Sequence, residues 1–382
     1  MKLPVKKFVL QCALMGLLCG YSFQCDAQQA LPVIKASSNL VDIRNDEVLT
    51  KGAWGITPAQ KPDVYKTKAK KVTFYTNEDS ITIKVKPQHP QDFYILLNGK
   101  DSALTRVEFD ISYLDKLKLA RKYNTKDERT VPAFTYQDSS FAGLQQLRKT
   151  YNLDSVAGKG SEQFRMINLM HWVHNTILHD GSSTNPAVKN AFGIIAACRQ
   201  DKRGVNCRMM ATVLNECYLA MGFKSRYITC MPKELVFDDC HVINMVYSDS
   251  LQKWIWMDPT FDAYVMDEKG VLLGIEEVRQ RLIDGRTLIL NPDANWNHID
   301  EQTRKDYLER YMAKNLYRLE CPAGSMYDTE TEVKGKEIKY IQLLPLDGIN
   351  QSPQVQKMQG KETGVIHTHY ITNNPNLFWT KP

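Results

Sequence analysis

Residues 204–260 constrain the fold more than any other stretch, because a helical run is followed there by three strand-like runs. Apolar residues recur at helical spacing from Met210 to Met221, and a glycine then follows, which is a common end for a helix. Three short runs rich in β-branched and aromatic residues, separated by turn residues, come next. These runs cover residues 226–230, 241–247 and 253–258. The stretch therefore predicts a helix followed by an antiparallel meander.

Three of these elements each have one reactive side chain at an end. Cys207 begins the helix after Asn206, a good N-cap residue, while His241 begins the second strand and Asp258 ends the third. A helix N-terminus lowers the pKa of a thiol, and a neighbouring imidazole completes its activation. The sequence therefore predicts Cys207 as nucleophile, His241 as base and Asp258 as the carboxylate that orients the histidine. The loose spacing of the three is weak evidence by itself.

Several motifs of this region resemble the transglutaminase-like family, a branch of the papain-like cysteine enzymes. Residues 204–208 (GVNCR) resemble the family's glycine-x-x-cysteine helix start, and residues 214–227 resemble its leucine-rich helix with the Ala-x-Gly-x-x-x-Arg continuation. Residues 241–244 (HVIN) resemble the histidine strand. Residues 256–260 (WMDPT) resemble the Trp-x-x-Asp-Pro-Thr run, with one residue fewer between Trp and Asp. The resemblance covers about residues 160–265 and implies an α+β fold, with helices packed on an antiparallel sheet.

The resemblance also implies acyl transfer through a thioester on Cys207. The thiolate attacks an amide carbonyl, ammonia or an amine leaves, and water or another amine then takes the acyl group. The backbone N–H of Cys207 and a second donor would bind the oxyanion. Family relatives supply that donor from a tryptophan or glutamine in the preceding region, which makes Trp172 the candidate here. A core aromatic position on an amphipathic helix is the alternative for Trp172.

Three functions are compatible with this chemistry. The favoured one is an exported peptidase or amidase that releases the acyl group to water. The second is a protein-glutamine transglutaminase, which passes the acyl group to an amine, and the third is a non-catalytic binding module on the same fold. Analogy with exported bacterial-type members that carry flanking β modules favours hydrolysis. The expected partner is a peptide or protein substrate.

Metal binding is not predicted. Three histidines precede the Cys207 helix, at positions 171, 174 and 179, but no matching set of carboxylates or cysteines accompanies them. A polar helix face is the better interpretation of these histidines. No acidic loop of the calcium-binding type is visible. No other cofactor is expected, and neither the net charge of +6 nor any basic run with interleaved aromatics indicates nucleic-acid binding.

The first 27 residues predict a signal peptide. Three lysines between residues 2 and 7 form a positive region, and residues 8–23 form an apolar one. Small residues at positions 25 and 27 place a cleavage site before Gln28. A membrane anchor is the alternative, but the apolar run is short and interrupted by polar residues. A periplasmic or extracellular protein without stable membrane insertion is therefore expected.

Six of the nine cysteines remain after the predicted signal peptide. Cys230 and Cys240 flank the loop between two strand-like runs, so a disulfide between them is possible in an oxidising compartment. Two buried thiols that act as small hydrophobic residues are the favoured alternative. The disulfide pattern and the oligomeric state stay open.

The chain is long enough for more than one domain. Residues 28–70 indicate an extended lead-in, and alternating runs between residues 71 and 109 predict paired strands. After the signal peptide, the predicted domains are a β-rich N-terminal module, a transglutaminase-like catalytic domain and a C-terminal helix plus β extension. They cover residues 28–110, 111–300 and 301–382.

Overall fold

The computed structural model describes residues 31–59, 61–87, 89–120, 122–237 and 239–382. The predicted signal peptide lies outside the described residues. The chain divides into two compact units, with the boundary between Asp110 and Ile111. The described part of the chain contains no helix with the length and apolar character needed to cross a bilayer.

The described residues of the first unit form two four-stranded sheets with a shared core. The first sheet has the order β1-β7-β8-β4 and the second has the order β3-β2-β5-β6. Buried residues of both sheets, such as Phe74 and Phe93, pack in one cluster. The strands are β1 (Val33–Ala36), β2 (Leu40–Asn45), β3 (Val48–Gly55), β4 (Asp63–Thr67), β5 (Lys71–Tyr75), β6 (Ser80–Lys84), β7 (Gln91–Leu97) and β8 (Asp101–Phe109).

The pairing of β5 with β6 and of β7 with β8 is antiparallel, which confirms the paired strands predicted after residue 70. The expected extended lead-in over residues 28–70 is wrong, because four strands lie there. One of them, β3, is an edge strand whose residues are almost all exposed. An exposed edge strand has no apolar alternation, so its sequence gives no strand signal.

The second unit, Ile111–Pro382, combines helices with a large sheet. Its helices are α1 (Tyr113–Lys118), α2 (Ala142–Thr150), α3 (Leu153–Ala157), α4 (Glu162–Thr176), α5 (Ala191–Asp201), α6 (Cys207–Ala220), α7 (Ile275–Asp284), a π-helix (Lys305–Met312), α8 (Ala313–Asn315) and α9 (Pro375–Phe378). Its strands are β9 (Thr135–Tyr136), β10 (Ser225–Met231), β11 (His241–Ser248), β12 (Lys253–Met257), β13 (Val265–Met266), β14 (Ile289–Leu290), β15 (Asn295–Trp296), β16 (Asp300–Glu301), β17 (Arg318–Pro322), β18 (Gly324–Ser325), β19 (Glu337–Leu343), β20 (Val355–Gln359) and β21 (Ile366–Thr372). This mixture confirms the predicted α+β fold class.

The large sheet has seven strands in the order β12-β11-β10-β17-β19-β21-β20. The first three strands form the predicted antiparallel meander. Side chains alternate across the sheet, so Trp256 packs in one core cluster while its neighbours Ile255 and Met257 pack in the other. Helix α6 packs on β10 and β11 and is buried from Met209 to Ala220.

The segment after residue 300 supplies the centre of this sheet. Strand β17 lies between β10 and β19 and is antiparallel to both. The preceding π-helix belongs to the same core, in which Tyr307, Leu308 and Met312 are buried. Residues that the sequence indicates as an extension are therefore hydrogen-bonded directly to the meander.

Candidate active site

Cys207 is the first residue of α6, at the end where the helix dipole favours a negative charge. The side-chain oxygen of Asn206 accepts a hydrogen bond from the backbone N–H of Met209 at 3.1 Å, which is the N-cap that the sequence predicts. The Asn206 amide also donates to Asn185 Oδ1 at 2.8 Å. The cap fixes the start of the helix and therefore the position of the thiol.

His241 and Asp258 meet at the end of the meander. His241 is the first residue of β11, and Asp258 directly follows β12. The Nε2 atom of His241 lies 2.7 Å from Asp258 Oδ2, and both side chains are buried. Because Nε2 is engaged by the carboxylate, Nδ1 is the ring nitrogen left for Cys207. The structure thus brings the three residues predicted for catalysis to one place.

The charges of Cys207 and His241 stabilise each other. Burial disfavours the thiolate, but hydrogen bonds from His179 and His241 and the charge of His241 lower the pKa of Cys207 to about 6. Burial also disfavours a charged His241 ring. The negative charge and hydrogen bond of Asp258, together with Cys207, nevertheless raise the pKa of His241 to about 10. Between these two values the arrangement favours a thiolate next to an imidazolium.

Asp258 is held by hydrogen-bond donors at both oxygens. Tyr307, on the π-helix, donates its hydroxyl hydrogen to Oδ2 at 2.6 Å, and the indole N–H of Trp256 donates to the Tyr307 oxygen at 3.2 Å. The backbone N–H of Thr260 donates to Oδ1 at 2.9 Å. These contacts fix the carboxylate that orients His241. The role of Tyr307 has no local sequence signal, because its partner lies 49 positions earlier in the chain.

Two aromatic rings flank the imidazole of His241. Phe261 and Tyr311 both contact it edge-on, with ring centroids 5.5 Å and 5.2 Å away. Tyr311 lies on the same π-helix as Tyr307. The apolar edges bury two sides of the imidazole and limit its rotation.

A second histidine, His179, also reaches the thiol of Cys207. It follows the end of α4 and forms a β-bridge with Val205, two residues before the nucleophile. The expectation that His179 lies on a polar helix face is wrong, because the helix ends at Thr176. No local sequence signal marks His179 for this role, because its pairing with Val205 is a long-range contact that local patterns do not reveal.

Trp172 packs against Tyr151, with ring centroids 5.4 Å apart. It belongs to the core cluster under α6, and its predicted role as oxyanion donor stays a prediction. His171 and His174 have other partners. The Nδ1 atom of His171 lies 2.5 Å from Asp262, and the buried His174 bonds Pro259 O and Asn295. Among the described residues there is no cluster of three or more potential metal ligands.

The cysteines of the described residues are free thiols. The possible bridge between Cys230 and Cys240 is not formed, because Cys230 pairs with His241 across the hairpin and Cys240 lies one position before that pair. Burial raises the pKa of Cys240 to about 11, so the thiol next to the candidate base is less acidic than Cys207.

Residues 149–259 match the model of a known protein family, the transglutaminase-like superfamily. The match includes Cys207, His241 and Asp258 and ends one residue after the aspartate. This part of the chain is similar to the transglutaminase-like superfamily. The predicted resemblance is therefore confirmed, and the helix α6 with its three-stranded meander is the transglutaminase-like core of the protein.

A solved structure from Cytophaga hutchinsonii, provisionally named a cysteine protease, is similar to the chain at 19% identity with a TM-score of 0.25. The similarity covers 43% of this chain and 46% of that one, so the chain spans less than half the length of that protein. At this TM-score the likeness carries no functional argument. No curated protein matches the chain significantly.

Proposed function

We propose that the protein is a cysteine hydrolase that cleaves amide bonds of peptides or proteins through Cys207, His241 and Asp258. The observation that supports this most directly is the mutual stabilisation of the Cys207 thiolate and the His241 imidazolium, with Asp258 bonded to the far nitrogen of the ring. A thiolate is the nucleophilic form of cysteine, and the imidazolium holds the proton that a leaving amine needs. The superfamily match supports the same chemistry.

In the proposed reaction the Cys207 sulfur attacks the amide carbonyl and a carbon–sulfur bond forms. The Nδ1 proton of His241 passes to the leaving nitrogen as the carbon–nitrogen bond breaks, which leaves a thioester. His241, now neutral, then takes a proton from water, the hydroxide adds to the thioester, and Cys207 leaves as thiolate. Asp258 stays charged throughout and stabilises the protonated ring. Hydrolysis is proposed over transamidation because water is the most abundant acceptor, and the partly exposed Cys207 does not shield a thioester from it.

The nucleophile is tested with 4-nitrophenyl acetate, which acylates a thiolate and releases coloured nitrophenolate. A burst of about one equivalent is expected from the wild type, and none from Cys207→Ala. Cys240→Ala is the matched control, because it removes the neighbouring thiol and is expected to keep the burst. A wild type without acylation at neutral pH contradicts the enzyme proposal and leaves the binding module.

The acceptor is tested with a glutamine-containing peptide and a primary amine. Hydrolysis predicts release of ammonia or a peptide fragment without incorporation of the amine. Incorporation that exceeds hydrolysis would instead assign the transglutaminase activity. Cys207→Ala gives the background rate for both the release of product and the incorporation of amine.

We also propose that the protein is exported. The charged and apolar pattern of the first 27 residues supports this proposal. Sequencing of the N-terminus after expression with an export machinery is expected to give Gln28. A protein that keeps its first residues in the cytoplasm would contradict it.

A further inference from the structure

His179 is the second imidazole at the nucleophile, and its surroundings fix its position and the direction of its hydrogen bonds. The indole N–H of Trp296 lies 3.0 Å from His179 Nδ1. Because an indole N–H can only donate, Nδ1 must be the acceptor and carries no hydrogen. The ring hydrogen is therefore on Nε2, and Nε2 is the atom left to donate to Cys207.

The backbone of His179 is held by the neighbour of Trp296 in the chain. The side-chain oxygen of Asn297 accepts from the His179 N–H at 2.7 Å, and its side-chain amide donates to the His179 carbonyl at 2.9 Å. Asn297 and His298 both have positive φ angles, 53° and 60°, which are uncommon for residues other than glycine. A turn with two such residues stores strain. Trp296 and Asn297, at this turn, make three hydrogen bonds to His179.

The other side of His179 is tied to the nucleophile's own segment. The Val205 N–H donates to the Leu178 carbonyl at 3.0 Å, and the Asp180 N–H donates to the Val205 carbonyl at 2.8 Å. This two-way bridge places His179 beside the residues that lead into α6. The ring is thus fixed relative to Cys207 by contacts before and after it.

We propose that His179 is a catalytic residue that supplies the oxyanion donor, with Trp296 and Asn297 as its positioning residues. This inference rests on the proposed function. In the resting protein the Nε2–H group of His179 donates to the Cys207 thiolate. When the thiolate attacks a carbonyl, the carbonyl oxygen lies beside the sulfur to which its carbon is now bonded. The same N–H group, together with the backbone N–H of Cys207, then donates to that oxygen.

The step balances without a change in the charge of His179. The carbon–sulfur bond forms, the π electrons of the carbonyl move to its oxygen, and the Nε2–H group of His179 stabilises the charge without giving up its proton. Collapse of the oxyanion re-forms the carbonyl and expels the amine, which takes its proton from His241. The two histidines thus have separate tasks, because Asp258 bonds Nε2 of His241 whereas Trp296 donates to Nδ1 of His179.

Two reagents separate this role from simple stabilisation of the thiolate. Iodoacetamide alkylates the thiolate in a displacement that creates no oxyanion, whereas 4-nitrophenyl acetate acylates it through one. For His179→Ala, acylation of the intact protein is expected to slow by about 100-fold. Alkylation of the same variant by iodoacetamide is expected to need a higher pH, because the pKa of Cys207 rises without His179, and then to reach the wild-type rate. The loss in acylation persists at that higher pH, where the thiolate is fully formed.

Two further variants complete the test. His179→Gln is expected to recover at least one tenth of the wild-type acylation rate, because its amide N–H can take the place of Nε2–H. Trp296→Phe keeps the His179 ring but frees its tautomer, so acylation is expected to fall by about 10-fold while alkylation changes little. Urea unfolding midpoints close to that of the wild type show that each variant is folded. If His179→Ala does not fold, Trp296→Phe provides the test.

The outcomes separate this inference from the proposed function. Equal losses of acylation and alkylation at every pH would reduce His179 to a partner of the thiolate and overturn the inference. So would a His179→Ala protein that acylates at the wild-type rate. Absence of acylation in the wild type itself contradicts the proposed function instead.

Discussion

At the scale of single residues, the reactivity of Cys207 depends on the charge of His241, and that charge depends on Asp258. The carboxylate stabilises the imidazolium, which in turn lowers the pKa of the thiol. Asp258 therefore controls a thiol that it does not contact. The pair titrates as a unit, so a change at one residue shifts the pH dependence of the other.

The pH dependence of Cys207 alkylation tests this coupling. In the wild type, the rate with iodoacetamide is expected to rise with pH through about 6 and to stay level above it, because the thiolate is the reactive form. Asp258→Asn removes the charge that keeps His241 protonated. The rise is then expected at higher pH, towards the ordinary range of a cysteine thiol.

Asp262→Asn is the matched control for this experiment, because Asp262 is also buried but bonds His171. Its profile is expected to coincide with that of the wild type. If Asp258→Asn alkylates with an unchanged profile, the low pKa does not arise from the His241–Asp258 pair.

The hydroxyl of Tyr307 holds Asp258 in the position that orients His241. Tyr307→Phe deletes the donor to Asp258 Oδ2 and also leaves the buried Trp256 N–H without its acceptor. The free energy of unfolding is expected to fall by about 1–3 kcal/mol, as measured by urea denaturation. Acylation of Cys207 is expected to slow as well, because Asp258 gains freedom to turn away from His241.

Tyr311→Phe is the control for Tyr307→Phe. Tyr311 lies on the same π-helix, and its ring edge on His241 is retained in phenylalanine. A small change is therefore expected for this variant. Equal losses in both variants would mean that the π-helix, and not the hydroxyl on Asp258, is what the site requires.

At the scale of elements, steric crowding explains why the GVNCR motif begins with a glycine, Gly204. A Cβ atom on Gly204 would lie 2.7 Å from the Leu178 carbonyl oxygen and 3.0 Å from the Asp180 nitrogen. Both atoms belong to the segment that carries His179 and pairs with Val205. The absence of a side chain at residue 204 lets that segment approach the start of α6.

Gly204→Ala is therefore expected to separate the two segments. Overpacking against backbone atoms typically costs about 1–3 kcal/mol of unfolding free energy, and the shift would move His179 away from Cys207. Acylation by 4-nitrophenyl acetate is expected to fall further than stability alone explains. Gly181→Ala is the control in the segment that carries His179, because its Cβ would make only an ordinary contact, 3.6 Å from His179 Cε1. A Gly204→Ala protein with wild-type acylation would contradict this interpretation.

Local patterns predict the elements that carry their own signal. Helix α6 and the strands of the meander have a cap, an apolar period and turn residues within their own sequences, and all of them form as predicted. The helix predicted after residue 300 also forms, as the π-helix Lys305–Met312, whereas the edge strand β3 has no such signal because almost all of its residues are exposed. The same division applies to the site, where element ends mark Cys207, His241 and Asp258 but only tertiary contacts reveal His179 and Tyr307.

At the scale of the whole molecule, the transglutaminase-like core depends on the last fifth of the chain, residues 301–382. Strand β17 pairs with β10 at the middle of the large sheet, and Tyr307 bonds Asp258. Without residues 301–382, β10 would have an unpaired edge and its core would lose buried side chains such as Leu319 and Ile341. The first unit has a separate core of its own.

Truncation tests this dependence. A chain of residues 28–300 is expected to be insoluble or unfolded, whereas a chain of residues 111–382 is expected to fold and to keep the acylation of Cys207. Circular dichroism and the nitrophenolate burst measure the two properties. A folded, reactive 28–300 chain would show that the segment after residue 300 is dispensable.

The position of Tyr307 and β17 also determines when the site can first exist during synthesis. A ribosome completes Cys207, His241 and Asp258 long before it reaches the π-helix and the central strands of the sheet. A nascent chain interrupted at that stage has all three reactive side chains but neither the donor to Asp258 nor the strand beside β10. It follows that the nucleophile becomes fully active only after residues 305–322 have been synthesised and have folded onto the meander.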